Sequence, residues 1–129
     1  MRADTQTITI QADPSQVFKY IAQPERLPEW APDFAPLVRR DGEHWLIVRK
    51  TREVPLKVVT NAELGVIDLH VEMVPGLLSV AHSRVVPNGT GSEYIFTQYQ
   101  APSQSDEAFG QQLAGMRHEL IVLKGLLEG

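Results

Sequence analysis

The sequence predicts an α+β fold in which a strongly bent antiparallel sheet of about six or seven strands wraps around a long C-terminal helix. Three observations lead there. Residues 35–100 form a series of short apolar-alternating runs, punctuated by Asp41-Gly42, Leu64-Gly65, Pro75-Gly76 and Asn88-Gly89, the pattern of successive antiparallel hairpins. Near the C-terminus, Phe109, Leu113, Met116, Leu120, Leu123 and Leu127 recur at steps of four and three. At about 100° per residue they stay within roughly ±40° of one line, a narrow stripe suited to a helix lying on a sheet. Two short proline-bounded helical segments separate the first strand from the others. A sheet of this length cannot remain flat, and only the last helix is long enough to fill its concave side.

The elements follow in order. Thr5 to Gln11 alternates polar and apolar, with Ile8 and Ile10 on one face. Asp13 can cap a helix that begins with Pro14 and carries Val17, Phe18 and Ile21 on its apolar side. Pro24 ends it, because a residue before proline avoids the helical region. A second short helix runs from Pro24-Glu25 through Leu27 to Trp30, with Pro28 in its first turn, where a missing N–H costs little. Strands are expected at Val38, Trp45–Lys50, Val54–Asn61, Val66–Met73, Leu77–Val86 and Ser92–Gln100. Ser103 or Ser105 can cap the final helix, and Asp106 and Glu107 suit the positive end of its dipole. Its core segments are expected at Gln111–Ala114 and Met116–Lys124. No repeat, linker or low-complexity stretch divides the chain, so residues 1–129 are read as one domain.

Hairpin geometry sets which side chains face inward, because opposed residues share a face. Two-residue turns at Asp41-Gly42 and Arg52-Glu53 would pair Val38 with Trp45 and Ile47 with Val58. The apolar phase then sets Leu56 against Val71 and Val58 against Leu69. A Pro75-Gly76 turn pairs Val74 with Leu77, hence Val71 with Val80 and Leu69 with His82. The inner face so defined carries Trp45, Ile47, Leu56, Leu69, Val71, Met73, Leu78 and Val80, with Arg49, His82 and Arg84 as its polar members. Lys57, Asp68, His70, Glu72, Ser79 and Ser83 fall on the outer face. A one-residue slip in the sixth strand would exchange His82 and Arg84 for Ser79, Ala81 and Ser83.

Composition excludes several function classes. The formal net charge is −4, whereas nucleic-acid binding needs a basic face. The one basic cluster, Arg49-Lys50 with Arg52, reads as a solvated strand end. There is no cysteine, so disulfides, thiolate catalysis and cysteine metal sites are ruled out. No apolar run approaches the ~20 residues of a membrane span, and the N-terminus lacks a signal-peptide core. A cytoplasmic location is expected.

The chemistry-bearing residues form no recognisable catalytic or metal pattern. The four histidines, His44, His70, His82 and His118, lie on separate elements, without the convergence a metal site requires. Asp68, His70 and Glu72 share one strand face opposite Lys57, a solvated charge ladder. No Gly-x-Ser-x-Gly elbow exists, and Asn88-Gly89-Thr90-Gly91 reads as a hairpin tip rather than a phosphate loop. An apolar pocket with a few polar anchors remains. Its walls would be Trp30, Phe34, Trp45, Leu69, Val71, Met116 and Leu120, and its anchors His82, Arg84 and either Arg49 or Tyr99. The aromatic residues and Met116 equally suit a plain core, and Arg84 a cross-strand pair with Glu93.

The segments Ile8-Thr9-Ile10-Gln11-Ala12-Asp13-Pro14-Ser15-Gln16-Val17-Phe18-Lys19-Tyr20-Ile21 and Pro24-Glu25-Arg26-Leu27-Pro28-Glu29-Trp30 resemble the opening of the START-like superfamily. Arg84 to Glu93 and Met116-Arg117-His118-Glu119-Leu120 resemble its later strands and helix, and the chain is similar to the polyketide cyclase/dehydrase-like proteins of bacteria. The resemblance covers essentially the whole chain and implies a helix-grip fold with a cavity between sheet and long helix. Its members include lipid carriers, hormone receptors, aromatic polyketide cyclases and co-chaperones, so fold alone does not assign an activity.

The leading expectation is binding of a small hydrophobic or amphipathic molecule in that cavity, without a cofactor or metal. A cyclase- or dehydratase-like enzyme is the alternative, with His82 as acid or base and Arg84 stabilising an enolate-like oxygen. An interaction module using the outer sheet face or the rim around Trp30 is the third.

Overall fold

The computed structural model describes residues 1–129. Strand β1 (Ala3–Ile10) is followed by α1 (Pro14–Ile21), a 3-10 turn (Pro24–Arg26) and α2 (Leu27–Trp30). Six strands follow: β2 (Val38–Asp41), β3 (His44–Val48), β4 (Glu53–Asn61), β5 (Val66–Val74), β6 (Leu77–Asn88) and β7 (Gly91–Tyr99), and then α3 (Asp106–Glu128). All seven strands join one antiparallel sheet in the order β1-β7-β6-β5-β4-β3-β2. This is the α+β helix-grip architecture expected from the sequence. No helix is long and apolar enough to cross a membrane.

The helix starts follow from local chemistry. The Asp13 carboxylate accepts a hydrogen bond from the Ser15 amide at 3.1 Å, with Pro14 in the first turn. Ser105, rather than Ser103, caps α3, its hydroxyl accepting from the Ala108 amide at 3.1 Å. Both arrangements satisfy amides that the helix itself cannot. Phe109, Met116, Leu120 and Leu123 of the apolar stripe are buried, and the last three join Ile10, Ile67, Leu69 and Phe96 in one core cluster.

Three hydrogen bonds tie α3 to the β1 side of the sheet. The Gln6 amide donates to the Leu113 carbonyl at 2.9 Å, the Lys124 ammonium to the Thr9 carbonyl at 2.6 Å, and the Gln11 backbone N–H to Glu128 at 2.7 Å. The helix is therefore fixed along one flank, which leaves its other flank over β5, β6 and the end of β7.

The hairpins turn where expected, but their registers differ in instructive ways. Val38 pairs with Ile47 and Arg40 with Trp45, because Gly42 and Glu43 form the first loop. Gly42 has φ of 62°, and Gly89 in the corresponding Gly89-Thr90 loop has φ of 60°. Hairpin turns favour glycine at such left-handed positions. Ile47 faces Val54 instead of Val58, since the chain reverses between Arg49 and Arg52. These corrections move the register by even numbers and leave every face unchanged. The β4–β5 register, Leu56 with Val71 and Val58 with Leu69, is the expected one.

The β5–β6 hairpin departs by an odd number. Val74 pairs with Leu77 across Pro75-Gly76 as expected, but Val71 then faces Ser79 and Leu69 faces Ala81. The register shift between Val71 and Val74 is a β-bulge in which β5 carries one more residue than β6. Arg52 holds it: its guanidinium donates to the carbonyl oxygens of Glu72 and Met73. In consequence Leu78, Val80, His82 and Arg84 lie on the outer face, and Ser79, Ala81 and Ser83 on the inner one. Leu78 is 60% exposed and Ser83 only 5%. The outward Ser79 and Ser83 and the inward Leu78, Val80, His82 and Arg84 of the sequence reading are thereby corrected.

Candidate functional site

A cavity of about 660 Å³ opens between the sheet and the free flank of α3. Its floor is Leu69, Val71, Ser79, Ala81 and Phe96. The bulge makes that floor roomy, because it directs Ser79 and Ala81 inward where the unbulged register would have placed Val80 and His82. Along the roof run Gln112, Gly115, Met116 and Glu119, one face of α3. Gly115 contributes space: a Cβ added there would meet nothing within 4 Å. A glycine within a helix costs about 1 kcal/mol relative to alanine, so its place over the cavity is informative. Leu27, Trp30 and Phe34 close one side, and Met73, Val74, Leu77 and Tyr99 border the mouth.

The polar lining comprises Asp33, Arg49 and Glu119 with serine and glutamine side chains. Arg49 donates to the backbone carbonyls of Asp33, at 3.3 Å, and Phe34. Burial pushes the Glu119 carboxyl up to about 7, and the nearby charge of Asp33 adds to the shift. Both causes disfavour the ionised form. Two further lining groups, the Trp30 indole Nε1 and the Gln98 Oε1, are buried without a hydrogen-bond partner. Beside the floor, on the same inner face, the Tyr94 hydroxyl donates to the Ser83 hydroxyl at 3.0 Å, which in turn donates to the Ile67 carbonyl. Desolvation raises the Tyr94 phenol well above its ordinary range, so it stays a neutral donor.

Of the residues singled out from the sequence, Trp30, Phe34, Arg49, Leu69, Val71, Tyr99 and Met116 come together around this cavity. Trp45 does not. Its ring lies under the Arg40 guanidinium, 5.4 Å from the ring centroid, toward the β2 edge of the sheet. Leu120 is buried in the core and does not reach the lining. His82 lies outside, with its Nδ1 3.2 Å from Asp68 across the β5–β6 ladder. Arg84 is outside as well, donating to the Leu64 carbonyl at 2.9 Å. It does not pair with Glu93, which accepts from Thr7, Thr9 and Asn88. Sequence reading passed over Glu119, Gly115 and Gln98, and reached Ala81 only as the outcome of a one-residue slip in the sixth strand. Glu119 did carry a signal: it sits one turn after Met116, at the edge of the apolar stripe, where a carboxylate cannot avoid partial burial.

A bent sheet gripping a C-terminal helix, with a mainly apolar cavity between them, defines a START-like protein. The sequence matches the family described as polyketide cyclase / dehydrase and lipid transport over residues 1–116, and the chain belongs to that family. No curated protein matches the sequence. Among solved structures it is similar to the Aha1 dimer from Colwellia psychrerythraea, with a TM-score of 0.77, 13% identity, and coverage of 99% of this chain and 97% of that one. The protein XoxI from Bacillus cereus superposes with a TM-score of 0.78 at 16% identity, covering 98% of this chain and 96% of that one. The di-domain ARO/CYC BexL of the BE-7585A biosynthetic pathway gives a TM-score of 0.71 at 15% identity, with 97% of this chain matching 46% of that protein. At these identities the likeness is one of fold.

Proposed function

We propose that residues 1–129 act as one unit that binds a small hydrophobic or amphipathic molecule between the sheet and α3. The observation that carries this reading is the cavity itself. Its volume of about 660 Å³ falls within the ~300–1,000 Å³ of small-molecule sites. Fourteen of its 24 lining residues are hydrophobic, and the polar ones supply anchors for a ligand's polar end. Leu69, Val71, Met116 and Phe96 are the apolar contacts, and Trp30, Tyr99 and Glu119 border the polar part. An enzyme using His82 and Arg84 has no support, because neither side chain reaches the cavity.

The two tryptophans provide the test, since Trp30 lines the cavity and Trp45 does not. Titration with an apolar fluorophore that accepts energy from tryptophan should saturate at one equivalent. Trp45→Phe should keep most of the Trp30-dependent signal, and Trp30→Phe should lose it. Gly115→Trp, which places a large ring into open space, should abolish binding while the far-ultraviolet spectrum stays unchanged. Full binding by a folded Gly115→Trp protein would place the fluorophore elsewhere and overturn the proposal.

A further inference from the structure

We propose that the cavity's ligand carries a cationic polar end: an amphipathic amine whose apolar body lies on Leu69, Val71 and Met116 and whose ammonium group sits between the carboxyls of Glu119 and Asp33. The inference rests on the cavity being a binding site and adds the charge of what it binds.

Four titratable groups line the cavity: Asp33 after α2, Arg49 after β3, Tyr99 at the end of β7, and Glu119 on α3. Arg49 turns a guanidinium nitrogen away to the backbone carbonyls of Asp33 and Phe34. Neither Glu119 nor Asp33 forms an ion pair, while five other acidic side chains do. Two carboxyls thus share the cavity without an ion pair, because Arg49, the one cation on the lining, is bonded to backbone carbonyls instead. Their mutual repulsion, added to burial, keeps a proton on Glu119 up to about neutrality.

An entering ammonium group would replace that proton and remove the repulsion. Two further features favour the same chemistry. The Gln98 Oε1, buried and unpartnered, is an acceptor suited to an N–H donor. Trp30, Phe34, Phe96 and Tyr99 surround the space with aromatic rings, whose faces attract cations. The Trp30 Nε1 also lacks a partner, although Trp30 is only 2% exposed. It is a donor available to a hydroxyl or carbonyl elsewhere on the ligand. An anionic ligand would instead have to enter beside two carboxyls, with Arg49, already bonded to the backbone carbonyls of Asp33 and Phe34, as the one cation on the lining.

The test compares decylamine, decanol and decanoate by calorimetric titration at about pH 6 and about pH 8, on either side of the Glu119 midpoint. Decylamine should bind at least about tenfold more tightly than the other two at the higher pH. Its advantage should shrink at the lower pH, and its binding near neutrality should release protons, read from buffers of different ionisation heat. Glu119→Gln should bring decylamine to within about threefold of decanol and leave decanol unchanged. Should that variant fail to fold, Asp33→Asn on the exposed segment after α2 should lower the amine preference in the same direction. Equal binding of all three ligands, blocked by Gly115→Trp, would overturn the cationic assignment and leave the cavity reading intact. Amine preference undiminished in Glu119→Gln would overturn it as well. Binding by none of the three would remove both.

Discussion

A carboxyl that burial keeps protonated to about pH 7 makes stability fall as pH rises toward neutrality. In the unfolded chain Glu119 ionises near 4.5, its ordinary value, whereas in the folded protein it does so near 7. Between those values the folded state binds more protons than the unfolded state. Its contribution to stability therefore falls as pH rises through this window and stays lower above it. Discounted for its partial exposure, the loss is about 2 kcal/mol. Glu93, Glu29, Glu53 and Glu128 have lowered values and act in the opposite sense, so the useful quantity is a difference. The urea midpoint of Glu119→Gln should rise relative to that of the native protein as pH increases from about 5 to about 8. Parallel curves would mean that Glu119 is solvated. The Tyr94–Ser83–Ile67 relay makes a second prediction at this scale. Tyr94→Phe should cost about 1 kcal/mol, one hydrogen bond, while Ser83→Ala strands a buried phenol and should cost about 1–3 kcal/mol. Equal effects in thermal unfolding would show that the phenol finds another partner.

Among the elements, the β5–β6 hairpin decides the character of the cavity. Its turn was legible in Pro75-Gly76, and its strands in their alternation. The bulge was not, because the group that holds it, Arg52, comes from about twenty residues earlier in the chain. Arg52→Leu should lose two charged hydrogen bonds, about 1–3 kcal/mol, and speed amide exchange through Leu77–Ser79. Exchange unchanged there would show that the bulge is intrinsic to the strand. Helix α3 behaves differently. Its cap, its first-turn acids and its stripe are all local features, and Ser105 to Leu127 follow the pattern the sequence implies. Leu120, 3% exposed at the centre of that stripe, should not tolerate Asp: an unpartnered buried carboxylate exceeds the few kcal/mol a domain can lose. A Leu120→Asp protein with native thermal stability would remove α3 from the core.

At the scale of the whole molecule, β1 pairs with β7 across the full length of the chain, and this closure sets the flank along which α3 is tied. The opposite edge is β2, four residues long and charged, with Arg39 paired to Glu53. Short charged edges resist further pairing. Hydrogen exchange should therefore be fastest in β2 and slowest in β5, β6 and β7, where each strand has two partners. Uniform protection across the sheet would contradict this. The sequence by itself determined the order of the elements, the hairpin turns, the helix caps and the inner faces of β3, β4 and β5, because each depends on neighbours within a few residues. Even errors of register, as at Gly42 and Arg49–Arg52, left those faces intact, since side chains alternate with a period of two. Only the tertiary structure decided which face of β6 looks inward, that Trp45 lies away from the cavity while Glu119 enters it, and how much space remains beneath α3. The first of those outcomes turns on a single extra residue in β5, held by a side chain from another hairpin, and a one-residue change of phase reverses every side chain of β6 beyond it; the others depend on how distant elements pack together.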